Sequence, residues 1–214
     1  MSLIDPSELA EHIQQKHDEL GYTKSWRFLY GPWSALKTAE VGFWGYNPGG
    51  DEEEQGFPKD NRISVEVGTA WTHEKWPSQL QKQVRRLFDE LIQCPIEQAI
   101  TGNIVPFRSQ DMKSFYNKTN AESFSLKIWR EILEDHCPKL CIANGMDAAK
   151  LLVRIQQAQK IEEIPSGWGS CKISLYRHAK GALVSMPHLS RFKILLNDKY
   201  IENVRQIIIQ AKSL

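Results

Sequence analysis

VGFWGYNPGG at residues 41–50 decides the fold. The apolar run from Val41 to Tyr46 stops at Asn47, Pro48, Gly49 and Gly50, because proline brings no N–H to a ladder and glycines favour turns. An apolar run this short and continuous predicts a strand covered on both faces. Two further stretches repeat the pattern, TGNIVPFRS at 101–109 and MPHLSRF at 186–192. Each is the end of an apolar run entering a loop, and each loop carries one amide or imidazole: Asn47, Asn103 and His188. Such groups match the donors and acceptors of a heterocycle. Their recurrence at strand ends points to a site at the carboxyl edge of a parallel sheet, where open α/β folds place their ligands.

The rest of the chain alternates in the same way. Asp5, Pro6 and Glu8 mark a helix start, and Leu9, Ile13 and Leu20 form its apolar stripe up to Gly21. A Trp-rich connection covers 26–33 and a polar loop runs on to about residue 74, with an acidic cluster at 51–54. Residues 78–93 form the clearest helix, with Leu80, Val84, Leu87, Phe88, Leu91 and Ile92 on one face. Strands are expected at 100–105, 140–143, 171–176 and 182–185. Helices are expected at 121–135, from Gly145 to about 157, and from Asp198 onward. Ser190 reads as the cap of a short helix at 191–196. This order predicts a three-layer α/β/α sandwich around a central, mainly parallel sheet. It forms a single domain over 1–214, with 1–38 as an N-terminal helical extension packed on it.

The 214 residues carry a formal net charge of +1, which does not announce a nucleic-acid binder. The distribution says more, since residues 164–197 hold Lys172, Arg177, Lys180, Arg191 and Lys193 but no acid. That stretch is read either as a basic face or as ordinary solvated charge. The four cysteines form no CxxC pair, so neither a zinc ribbon nor an iron–sulfur site is expected, and Cys141 and Cys171 read as buried small hydrophobes. No long apolar run or secretory segment is visible, which predicts a cytoplasmic protein with reduced thiols and no membrane partner.

The order of these segments resembles the uracil-DNA glycosylase superfamily. GYNPG at 45–49 is similar to the first motif of the mismatch-specific and single-strand-selective members, GINPG or GMNPG. TGNIVPF resembles the family's second strand, LCIANGMDAAKLL at 140–152 its strand–Gly–helix segment, and PHLSRF its last motif, usually HPS. The resemblance implies hydrolysis of the N-glycosidic bond of uracil or a related damaged pyrimidine in DNA by a monofunctional, monomeric enzyme without cofactor or metal. Asn47 would position water and His188 would steady the departing base anion. Asn103 would read the base edge, Phe57 would stack on the base, and Tyr46 would support the pocket through its backbone. Pro48, Gly49, Arg108, Leu189, Ser190 and Arg191 would contact DNA, with Leu189 or Arg191 as the wedge filling the vacated stack.

The chain departs from the family at three points. Its most efficient members carry Asp where Asn47 stands, so water is oriented rather than deprotonated. Leu189 replaces the usual proline. Gly49 and Gly50 stand where uracil-selective members place a methyl-excluding tyrosine, so thymine is not barred by that device. The acidic cluster at 51–54 would repel any phosphate it faced. A nucleobase- or nucleic-acid-binding protein without cleavage is therefore the second reading. A serine hydrolase or phosphate-cradle enzyme lacks its parts, since GxSxG, P-loop and GxGxxG are all missing. An interaction protein using the Trp-rich segment is less well supported than packing of that segment on the sheet.

Overall fold

The computed structural model describes residues 5–49, 62–72 and 77–214. Its strands are β1 Val41–Gly45, β2 Ile100–Asn103, β3 Leu140–Asn144, β4 Gln159–Pro165, β5 Lys172–His178 and β6 Gly181–Met186. They form one sheet in the order β2-β1-β3-β6-β5-β4. β2, β1, β3 and β6 run parallel, while β5 and β4 extend the β6 side antiparallel.

Alternate residues of the parallel strands feed two cores. Trp44, Cys141, Ala143 and Leu183 point to one face, which is closed by α1 (Pro6–Glu19), α4 (Lys118–Asp135) and α5 (Met146–Gln156). Phe43, Ile142, Ala182 and Val184 point to the other, closed by α3 (Gln79–Arg86), its π-helical continuation Leu87–Ile92, and α6 (Asp198–Lys212). A four-residue α2 (Ala35–Thr38) precedes β1. Both faces being covered explains why these strands read as continuous apolar runs. The architecture is the three-layer α/β/α sandwich expected from the sequence.

The apolar stripes set the helices down where predicted. Leu9 and Ile13 of α1, Phe124, Ile128, Trp129 and Ile132 of α4, and Ile201, Val204, Ile208 and Ala211 of α6 are all buried. Asp5 Oδ1 accepts from Ser7 N (2.8 Å) and so caps α1, and Ser78 with Gln81 forms a reciprocal capping box at α3. The Trp-rich segment packs against β2 through a bridge from Leu29 to Gly102 and against the loop after β2 through one from Trp26 to Phe107. Among the described residues, no helix is long and apolar enough to cross a membrane.

Two elements differ from expectation. Residues 159–165, where the sequence predicts no strand, form β4 at the sheet edge. Its exposed Gln159, Lys160 and Glu163 hide the apolar signal, as suits an edge that must not pair with another chain. The predicted helix at 191–196 is a turn followed by one 3-10 turn, Ile194–Leu196. Ser190 caps nothing there, because its hydroxyl is engaged with His188 at 2.7 Å.

Trp129 is the hub of the α4 face. Its ring stacks on Phe28 (4.6 Å), meets Trp44 edge-on (5.6 Å), and its Nε1 donates to Ile104 O at 3.0 Å. Trp129→Ala should cost about 3–5 kcal/mol. Urea denaturation checks this, and a loss below about 1 kcal/mol would contradict this packing.

Candidate active site at the carboxyl edge of the sheet

Strand register places the predicted residues on one edge. Asn103 pairs with Gly45, Trp44 with Ala143, and Asn144 with Met186, so the four parallel strands end on one level. Asn47 and His188 each lie two residues beyond that level, above β1 and β6 with β3 between them. Strands two apart in a sheet lie about 10 Å from one another.

His188 is half-buried and firmly held. Its Nδ1 accepts from Ser190 N (3.3 Å) and lies 2.7 Å from Ser190 Oγ. A backbone N–H only donates, so Nδ1 carries the lone pair and the proton of the neutral ring sits on Nε2. Burial pushes the imidazole pKa below its ordinary 6.5, and the nearby Arg191 charge adds to the shift. At neutral pH the group is an uncharged N–H donor.

Backbone contacts fix the loop that carries it. Leu189 N donates to Asn144 Oδ1 at 2.8 Å. The buried Gln83 of α3 donates to Leu189 O (2.5 Å) and accepts from Leu195 N (2.9 Å). Gly145, at φ +101, lies under the ring: a Cβ there would sit 3.1 Å from His188 Cδ2 and in a strained backbone. Asn144 and Gln83 are not among the residues the sequence marks for the site, and Gly145 is marked only as the turn from strand to helix. The signal for Asn144 was present, since LCIAN ends in asparagine before a glycine much as the other strand ends do. Nothing marks Gln83, whose partner is 106 residues away.

Asn47 is also half-buried, and its Nδ2 donates toward Phe107 O (3.1 Å) and Ser109 Oγ (2.9 Å), with Pro48 O at 3.2 Å. The amide nitrogen thus stitches the loop after β1 to the loop after β2. Among the described residues its Oδ1 has no hydrogen-bond partner, and this acceptor is the atom able to orient a water. Pro48 is buried with its carbonyl accepting from Ser109 N (3.2 Å), and Gly49 is exposed.

The other predicted contacts divide. Asn103 is buried at the level of the strand ends, and both its Nδ2 hydrogens point at protein acceptors, Arg27 O (3.2 Å) and Tyr30 Oη (3.1 Å). In this conformation the amide donors needed to read a base edge are used internally. Arg108 is buried, with Nε on Ser25 Oγ (3.1 Å) and Nη1 on Gly49 O, so it braces the loops rather than facing solvent. Tyr46 points into the core and donates to Glu122 Oε1 (2.8 Å), and burial pushes its phenol pKa up. Leu189 is fully buried, so of the two residues expected as the wedge only Arg191 is exposed. Ser190 is exposed beside His188. Phe57, Gly50 and the acidic cluster lie outside the described residues.

The basic stretch does not form one face. By register Lys172 lies at the carboxyl edge, where it pairs with Glu163 (3.2 Å), and Arg191 and Lys193 follow His188 there. Arg177 and Lys180 lie at the opposite edge, with Lys180 donating to Glu134 O (2.9 Å). No family model matches the chain, and no curated protein matches it significantly.

The His188 ring should titrate below 6.5 by NMR, with the 15N signature of the Nε2–H tautomer. Arg191→Gln should raise the midpoint yet leave it below 6.5, because burial is the larger cause. The depressed pKa means that the unfolded chain binds the proton first. The stability it contributes is therefore full above pH 6.5 and falls as pH drops through 6.5 toward the folded-state midpoint. A midpoint at or above 6.5 would contradict this environment.

Proposed function

We propose that this chain is a uracil-DNA glycosylase-like base-excising enzyme, acting on uracil or a related damaged pyrimidine in DNA. The observation that carries the reading is His188: a neutral imidazole whose Nδ1 is occupied by Ser190, on the loop after β6, with Asn47 on the loop after β1 at the same edge of the sheet. Breaking an N-glycosidic bond leaves negative charge on the base and positive charge on the sugar. An Nε2–H donor aimed at a pyrimidine carbonyl gains strength as that charge grows, so it favours the transition state over the bound substrate. Asn47 Oδ1 orients the water that completes the sugar, without acting as a strong base. Arg191 follows His188 on the exposed side of the loop, suited to enter the stack that the flipped base has left. The reading includes a monomeric, cytoplasmic enzyme that needs no cofactor for this step.

Binding without cleavage is the second reading, favoured by one specific observation. Asn103 and Arg108, two of the residues expected to contact ligand, are engaged with the protein. Retained uracil binding with no base released would select it.

Activity on labelled oligonucleotides carrying uracil, single-stranded or opposite G or A, is the test, with alkali revealing abasic sites. His188→Ala should lower the cleavage rate about 100-fold or more, by loss of the transition-state donor. Asn47→Ala should lower it roughly 10- to 100-fold, by loss of water placement. Both variants should unfold at the wild-type temperature within a few degrees. Unchanged cleavage in both would overturn the proposal.

A further inference from the structure

Cys137, Cys141 and His178 gather two thiols and an imidazole at the amino edge of the parallel sheet, opposite the site described above. Their ligand atoms all lie within 4.8 Å of one another. Cys137 sits in the connection from α4 to β3, Cys141 is the second residue of β3, and His178 ends β5. The β5–β6 hairpin reaches them because Gly181 lets it press on the α4–β3 connection. Ala182 N donates to Lys139 O at 2.8 Å, and a Cβ on Gly181 would collide with that carbonyl.

Two isolated cysteines in a core need only apolar neighbours. Here polar groups converge on them instead. His178 Nδ1 lies 3.9 Å from Cys137 Sγ, and Gln156 Nε2 donates to both sulfurs, at 3.4 Å and 3.0 Å. Cys141 and His178 are buried and Cys137 is half-buried. Among the described residues, His178 Nε2 and Gln156 Oε1 are buried without hydrogen-bond partners. Such groups are costly in a core that serves only packing.

We propose that Cys137, Cys141 and His178 bind one thiophilic divalent cation of the zinc class. A tetrahedral ion with ordinary zinc–sulfur and zinc–nitrogen bonds spaces its ligand atoms roughly 3.5–3.8 Å apart. The cluster therefore needs to contract by about 1.3 Å at most to close on the ion. Gln156 becomes the outer N–H donor to the thiolates, a recurring partner of metal-bound sulfur. The fourth position is left for solvent or an added ligand. The ion would clamp the β5–β6 hairpin to the α4–β3 connection, at the end of β3 remote from Asn144.

Reduced, metal-free full-length protein titrated with Co2+ and then Zn2+ tests the proposal. The expected result is one cobalt per chain, with thiolate-to-cobalt charge transfer and the visible bands of tetrahedral cobalt, both lost when zinc displaces it. Cys137→Ser should weaken cobalt binding at least about 100-fold and Gln156→Leu roughly 10- to 100-fold, while Cys94→Ser leaves it unchanged. His178→Asn provides a second ligand variant. Thermal unfolding of each metal-free variant establishes that it is folded. Cobalt bound without the sulfur band, no binding by folded wild type, or equal binding by Cys137→Ser would each overturn the proposal.

Discussion

The hydrogen bond from Leu189 N to Asn144 Oδ1 (2.8 Å) joins the ends of two parallel strands, and the geometry of the candidate site depends on it. A buried N–H left without its acceptor costs about 1–3 kcal/mol, so the bond strongly favours one loop conformation. Gln83 adds a clamp across Leu189 and Leu195, and Gly145 gives the ring a flat floor. The loop lacks the proline that the resembling motif usually carries. A fully buried Leu189 side chain and these backbone bonds supply the rigidity instead. The same residue cannot then also be an exposed wedge.

Parallel pairing gives the molecule two chemically different poles. At the carboxyl edge, loops leave the sheet and present half-buried Asn47 and His188. At the amino edge, connections return to the sheet under a tight hairpin and enclose sulfur and imidazole. β3 links the poles, with Cys141 near its start and Asn144 at its end. In the proposed scheme one pole performs chemistry on a flipped base and the other stabilises the hairpin behind it.

The fold was legible because its signals are local. Buried runs such as VGFWG and GALVSM, and stripes such as that of 78–93, follow from covering both faces of a parallel sheet. β4 was not legible, since an edge strand protected by charge carries no such run. In the site, Asn47, Asn103 and His188 were found from strand ends, and register places all three on one edge. The partners of Asn47 and Asn103 were beyond reach, because Ser109 and Arg27 meet them only through tertiary packing, as Gln83 meets the backbone of the His188 loop. Arg108 shows the limit most plainly: an arginine after a strand suggests a phosphate contact, and only the fold reveals that it braces Gly49 and Ser25. The cysteine cluster escaped for a related reason, as Cys141 and His178 are 37 residues apart and adjoin through the β3–β6–β5 pairing.

The most direct measurement is to identify the small molecule released when the wild-type protein meets a single-stranded oligonucleotide carrying one labelled uracil. Hydrolysis at the glycosidic bond predicts free uracil, with the strand unbroken until it is heated in alkali. Uracil that stays attached to an intact strand, with the protein folded and bound, would contradict the account.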